Sequence, residues 1–213
     1  DLMRLIQRAI RRATIPVAYS KGFNPHPLIS FASALAVGVT SQGEYLDISL
    51  DEYMDPETLR AKMNETLPYG IRFLKVEKLR GKQPSLMSLI ERAEYLLGVW
   101  DDKGRPINVH PIINKFLAQG EIWITRKTRK GEQKIDIRPL VHELKPQWDR
   151  EEKFPFRANV SSGSKANLRP DLLIKALLDF TKINNMEDIY YSMHRLDLFL
   201  NRDGKWVNPM EIE

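Results

Sequence analysis

Cysteine is absent from this 213-residue chain. That excludes a disulfide framework, a thiolate-bound zinc and a cysteine-ligated iron–sulfur cluster within the chain. Long hydrophobic runs are missing as well. No apolar stretch approaches the roughly 18 residues of a membrane helix, and no basic start followed by an apolar stretch reads as a secretory signal. Histidine is scarce: His26, His110, His142 and His194 are scattered, without an acidic or histidine companion at metal-ligand spacing. A histidine-based metal site is therefore not expected. The expected compartment is the cytoplasm, with no membrane partner. What is present is ordinary for a folded chain: 42% hydrophobic residues for a core and 29% charged residues for a surface. The length suits one large domain or two small ones.

The formal net charge of +5 is unevenly spread. Residues 1–30 carry Arg4, Arg8, Arg11, Arg12 and Lys21 against Asp1, a local balance of +4. Residues 123–134 carry Arg126, Lys127, Arg129, Lys130 and Lys134 against Glu132, again +4. The excess positive charge thus lies in two segments, and clustered charge of one sign attracts phosphate-bearing partners. The plain alternative is a pair of solvated basic faces.

Hydrophobic periodicity organises the chain. Leu5, Ile6, Ala9, Ile10 and Ala13 predict an amphipathic helix over residues 2–13, with the arginines mainly on its other side. Pro16–Tyr19 and Leu28–Ala34 read as extended, and Tyr45–Leu50 alternates as a strand. Asp55 caps a second helix running to Thr66 with Pro56 in its first turn, and Ile71–Lys78 reads as a strand. Residues 80–85 look like a linker. Beyond it come a strand (Ala93–Trp100), a helix (Asn108–Ala118), a hairpin (Glu121–Thr128 with Lys134–Leu144), an extended piece (Phe154–Val160), a helix (Leu168–Asp179) and a closing strand (Ile189–Leu200). The expected fold is α+β: two tandem ferredoxin-like (βαββαβ) domains with mostly antiparallel sheets, residues 1–81 and 82–213. The first strand of the first domain is missing from this order, and truncation is the expected reason.

Tyr19-Ser-Lys-Gly-Phe-Asn-Pro-His-Pro27 carries the most chemistry. Tyr19 and Phe23 offer stacking surfaces, and Lys21, Asn24 and His26 offer polar groups, beside an arginine-bearing helix. Bases stack on aromatic rings while lysine and arginine meet phosphates. The competing reading is a rigid turn with Phe23 packed inward and His26 bonded locally. Ser161-Ser-Gly-Ser-Lys-Ala-Asn-Leu-Arg-Pro170 leads into a helix, where free backbone N–H groups favour anions. There Gly163 would allow close approach of a ligand, and Lys165 and Arg169 add charge. The phosphate-loop consensus is absent, so a capping loop is favoured. Asp136 and Arg138 share a strand face by alternation, as an ion pair by default or with Arg138 directed to a ligand. His194-Arg195 reads as a packed or hydrogen-bonded pair.

Asp1-Leu-Met-Arg4 with Arg11-Arg12, the whole of Pro16–Pro27, Gly43-Glu-Tyr-Leu-Asp47, Ala93-Glu-Tyr95, Asp136-Ile-Arg-Pro139 and Asn167-Leu-Arg-Pro170 resemble the bacterial radical-SAM-linked protein family. The resemblance spans nearly the whole chain. It implies a radical SAM protein as partner, with SAM and an iron–sulfur cluster held only by that partner, and it supplies no catalytic residue. Family members also look as though they carry a strand and a Phe-Leu-Ser-His-like segment ahead of the position of Asp1. Three functions follow as expectations. The first is an RNA-binding accessory module for a radical SAM enzyme, in RNA modification or processing. The second is a protein-interaction scaffold docking that enzyme. The third is a metal-independent ribonuclease using His26, Tyr19 and Lys21, since such cleavage needs only a proton acceptor and donors.

Overall fold

Ile6, Ala9 and Ile10 fall on one face of helix α1 (Leu2–Arg12), and each is 2% exposed. Burying an isoleucine side chain is worth roughly 1.5–3 kcal/mol, so this stripe holds the helix to its unit. The computed structural model describes residues 2–81, 83–128, 131–147, 156–181 and 189–211, with the side chains of 127 and 128 outside that description. The chain forms two compact units: Asp1–Phe31 with Leu46–Leu86, and Ala32–Tyr45 with Met87–Glu213. The architecture is mixed α+β, with mostly antiparallel strand pairs.

In the first unit, strands β1 (Ile29–Phe31) and β3 (Leu46–Ile48) pair antiparallel. Helix α2 (Pro56–Thr66) begins as its sequence dictates, because the Asp55 carboxylate accepts from the Thr58 backbone N–H at 2.9 Å and Pro56 needs no partner for a missing N–H. Leu59 and Met63 of α2 join the α1 stripe, and Ile29, Phe31, Leu46 and Ile48 pack against them. Residues 71–78 are not the strand their composition predicts. The Asn64 side chain donates to the Phe73 carbonyl at 2.9 Å and accepts from its N–H at 2.7 Å. An amide from α2 thereby takes the place of a strand neighbour, while Phe73 and Val76 still reach the core.

The second unit is built on a sheet of order β10-β9-β4-β8-β7, in which every neighbouring pair is antiparallel. Its long strands are β4 (Ile90–Trp100) and β9 (Tyr190–Arg202), with β7 (Val141–Pro146), β8 (Phe156–Ser161) and β10 (Lys205–Val207) completing it. Strand β2 (Val39–Ser41) runs parallel to β9, pairing Val39 with Met193 and Ser41 with Arg195. A single-turn helix, α3 (Leu86–Leu89), leads into β4. Alternation puts Ala93, Tyr95, Leu97 and Val99 of β4 with Phe156, Ala158 and Val160 of β8 on the buried face. Helices α4 (His110–Leu117) and α5 (Pro170–Thr181) supply Ile113, Phe116, Leu173, Ile174 and Leu177 to that core, and Phe116 meets Phe180 edge to face.

The expected hairpin is present, but its return strand is divided. Strands β5 (Trp123–Thr128) and β6 (Gly131–Asp136) pair with each other in a separate two-stranded sheet. A 3-10 turn over Arg138–Leu140 then ends the ladder, and β7 joins the main sheet instead. Pro139 explains the division, since it cannot donate to a ladder. The Asp136 carboxylate holds the corner, accepting from the Ile122 and Arg138 backbone N–H groups.

Candidate nucleic-acid interface

Arg4, Arg8, Arg11 and Arg12 are all exposed on α1, opposite the buried Ile6–Ile10 stripe. Arg8 lies four residues from Arg4 and Arg12 and three from Arg11, so the four positions cluster along the exposed side of the helix. In the same unit the chain turns through residues 19–27. The base of that loop is fixed by backbone bonds joining Ala18 to Ser49, Leu28 to Ala18 and Ser49 to Leu28. Higher up, the Ser20 N–H donates to the His26 carbonyl at 2.9 Å, and the His26 N–H donates to Ser20 Oγ at 3.1 Å. Ser20 Oγ also lies 2.8 Å from His26 Nδ1.

Those bonds leave Lys21, Gly22, Phe23, Asn24 and Pro25 as an exposed tip. Gly22 takes a positive φ of 136°, which a side chain would resist. Phe23 is 107% exposed, and Tyr19 is about half exposed. Phe23 does not pack inward, so the turn exposes its largest apolar group. His26 is bonded locally through one ring nitrogen, as a rigid turn requires. An aromatic ring held in solvent on a braced loop loses apolar free energy unless something covers it.

In the second unit the candidates separate. Arg138 is used structurally: Nε donates to the Leu117 carbonyl at 2.9 Å and Nη1 to the Val141 carbonyl at 3.2 Å. It closes the C-terminal end of α4, and its bond to Asp136 is from the backbone rather than an ion pair. Lys165 pairs with Glu91 at 3.0 Å on the surface. Gly163 approaches protein backbone rather than a ligand, because a Cβ there would run into the Ile90 carbonyl. Lys127 as a side chain, and Arg129 and Lys130 entirely, lie outside the described residues. Arg126 and Arg169 do come together. They line one open cleft of about 700 Å³ between α5 and the β5–β6 hairpin.

His194 and Arg195 are packed and hydrogen-bonded as expected, but the partners that complete these and other constellations were not drawn from the sequence. Arg195, 3% exposed, binds both Glu44 carboxylate oxygens at 2.9 and 3.1 Å, the Ala34 carbonyl at 2.9 Å and the Tyr95 hydroxyl at 3.2 Å. Burial pushes the Glu44 carboxyl up, partly offset by Arg195, and burial with the Asp197 bond pushes the Tyr45 phenol up. Tyr45 donates to Asp197 at 2.5 Å. Elsewhere Arg92 stacks on Trp206 at 3.7 Å. His142 lies 2.9 Å from Ser161 Oγ, and burial, then the Arg92 charge, hold its pKa down. Thr40 Oγ1 lies 2.8 Å from His194 Nδ1, and burial lowers this histidine too. Among the described residues, no group of three His, Asp or Glu side chains could hold a metal ion, and no helix is long and apolar enough to cross a membrane.

Residues 1–170 match the family described as an uncharacterized protein conserved in bacteria, DUF2344. The chain belongs to that family. No curated protein and no solved structure matches it. The span shared with DUF2344 contains α1, the exposed Phe23 loop and Gly43–Asp47, and it ends at the first residue of α5. The Gly43–Asp47 motif is structural in this DUF2344 member. A Cβ on Gly43 would meet the Leu196 and Asp197 backbone, Glu44 binds Arg195, Tyr45 binds Asp197, and the Asp47 carboxylate accepts from the Leu86 N–H.

Proposed function

We propose that this DUF2344 member is an RNA-binding accessory module that works with a radical SAM enzyme in RNA modification or processing. The observation that carries the RNA reading is the braced loop with a wholly exposed Phe23, in the same unit as four exposed arginines. Sequence-tolerant single-strand binders combine these two parts, an aromatic platform for bases and cations for the phosphate backbone. Tyr19 and Phe23 stack, Arg4, Arg8, Arg11 and Arg12 contact phosphates, and Lys21, Asn24 and His26 orient the strand. The radical SAM partner rests on the motif resemblance. The absence of cysteine fits a division in which that partner holds the iron–sulfur cluster.

The ferredoxin-like part of this reading draws its support from the second unit, and the first unit shares only some of the order. In the second unit β4, α4, β7, β8, α5 and β9 follow the βαββαβ order, with the β5–β6 hairpin inserted after α4. In the first unit α1, β1, β3 and α2 follow part of the same order. That order is a scaffold for many functions, so the loop and the arginines carry the functional argument.

Fluorescence-anisotropy titration of a labelled single-stranded RNA against rising salt tests the proposal. Counterion release gives a log–log slope of about −0.7 per phosphate contacted, hence about −2.8 if all four helix arginines engage. Absence of affinity at low salt would remove the reading. Exposed Tyr53 and Tyr69 in the same unit, 72% and 106% accessible, favour a second reading: a protein-docking scaffold anchored by aromatics. That reading predicts co-purification with the radical enzyme that survives high salt and nuclease treatment.

A further inference from the structure

The cleft between α5 and the β5–β6 hairpin collects charge from two elements far apart in sequence. On α5's side, Arg169, Leu172 and Lys175 recur at intervals of three, which places them along one helix face. Thr125 and Arg126 of β5, Glu132 of β6 and Asn167 complete the lining. Both arginines are held in place. Arg126 Nε and Nη2 donate to Gln133 Oε1 at 3.2 and 2.8 Å, and that partner is neutral, so the cationic charge is undiminished. Arg169 Nε and Nη2 donate to the two Asp171 oxygens at 3.0 and 2.7 Å, which fixes the guanidinium plane. Counting Glu132 and Asp171 against Arg126, Arg169 and Lys175, the cleft keeps a positive balance.

Thr125 also lines an adjoining hollow of about 500 Å³, shared with Trp123, Ile124 and Lys134. Trp123 is 59% exposed, and its indole N–H is bonded to Glu121 at 2.8 Å, so the ring is oriented while its surface stays accessible. Alternation puts Trp123 and Thr125 on one face of β5 and Arg126 on the other, so hollow and cleft meet at Thr125, and a ligand spanning both has donors for phosphate and a platform for the base. A volume of this size accommodates such a ligand.

We propose that this cleft is a nucleotide-binding site, with Arg126, Arg169 and Lys175 on the phosphate and Trp123 under the base. The nucleotide is either free or part of an RNA strand. The second source rests on the RNA reading above, whereas the first does not. Lys175, Thr125 and Trp123 lie outside the residues singled out in the sequence.

The test uses the full chain, a fluorescein-labelled oligoadenylate, and adenosine monophosphate, adenosine and inorganic phosphate as competitors or direct ligands in calorimetry. Adenosine monophosphate is expected to bind at least about tenfold more tightly than adenosine, the margin of charge-assisted hydrogen bonds. Arg126→Ala with Lys175→Ala should remove that margin, and Trp123→Ala should weaken the monophosphate but leave inorganic phosphate unchanged. Trp123 and Lys175 are exposed and Arg126 is half-buried with only a neutral side-chain partner, so the melting temperature should change little. Monophosphate binding no tighter than adenosine, or unaltered in the double variant, overturns the site. If oligoadenylate binds and neither the monophosphate nor the variants affect it, the cleft inference fails while the RNA reading survives. If the monophosphate binds and the oligomer does not, the site stands and the RNA reading falls.

Discussion

Removing Glu44 should be among the most damaging single changes to the second unit. Arg195 is 3% exposed, and its guanidinium donates its two charge-paired bonds to the Glu44 carboxylate. Glu44→Ala leaves that charge buried with only the Ala34 carbonyl and the Tyr95 hydroxyl. Stranding one member of a buried pair costs about 3–5 kcal/mol. At about 2–4 °C per kcal/mol for a protein of this size, the melting temperature should fall by about 6–20 °C. The loss comes from the stranded charge rather than from a strong pair, because burial pushes Glu44 up against the pull of Arg195. The double variant Glu44→Leu with Arg195→Met should therefore lose less than Glu44→Ala alone. Scanning calorimetry on both, with Glu143→Ala as a control, settles the matter. Glu143 pairs with Lys145 at the surface, where such pairs contribute about 0–1 kcal/mol. If Glu44→Ala costs no more than Glu143→Ala, the account of this network is wrong.

Gly43→Ala should destabilise by about 1–3 kcal/mol or more, the cost of overpacking against backbone that cannot move aside, and urea unfolding would show it. Stability should also depend on pH through His142 and His194, whose pKa values are held below the ordinary 6.5. As pH falls through that value the unfolded chain takes up the protons first, so stability is full above about pH 6.5 and declines below it. His142→Gln should flatten the decline in melting temperature measured between about pH 5 and 7.5, and an unchanged profile would count against the burial argument.

Elements governed by local rules were legible in the sequence. The α1 stripe, the Asp55 cap of α2 and the long β4 and β9 strands each follow from spacing and cap chemistry within a few residues. Three features depend on partners outside their own segment, which the local pattern does not name. Strand β2 exists because β9 accepts it in parallel, more than 150 residues away. Residues 71–78 have strand composition, yet Asn64 of α2 takes both backbone groups of Phe73. Arg195 is in the core because Glu44 and Tyr95 meet it there. The site was legible in the same measure. The residue types in the Tyr19–Pro27 loop marked it as chemically dense, whereas the full exposure of Phe23 depends on the bracing bonds of Ser20 and His26. Arg126 and Arg169 were each visible as charges, but only the packing of α5 beside the hairpin puts them in one cleft.

Phe23→Ala bears most directly on the central claim. A wholly exposed side chain contributes little to the fold, so its removal should shift stability by no more than about 0.5 kcal/mol. Loss of one stacked base is worth about 1–3 kcal/mol, so the affinity for single-stranded RNA at fixed low salt should drop about 5- to 150-fold, with the salt slope unchanged. RNA affinity equal to that of the unaltered protein, at an unchanged melting temperature, would contradict the account.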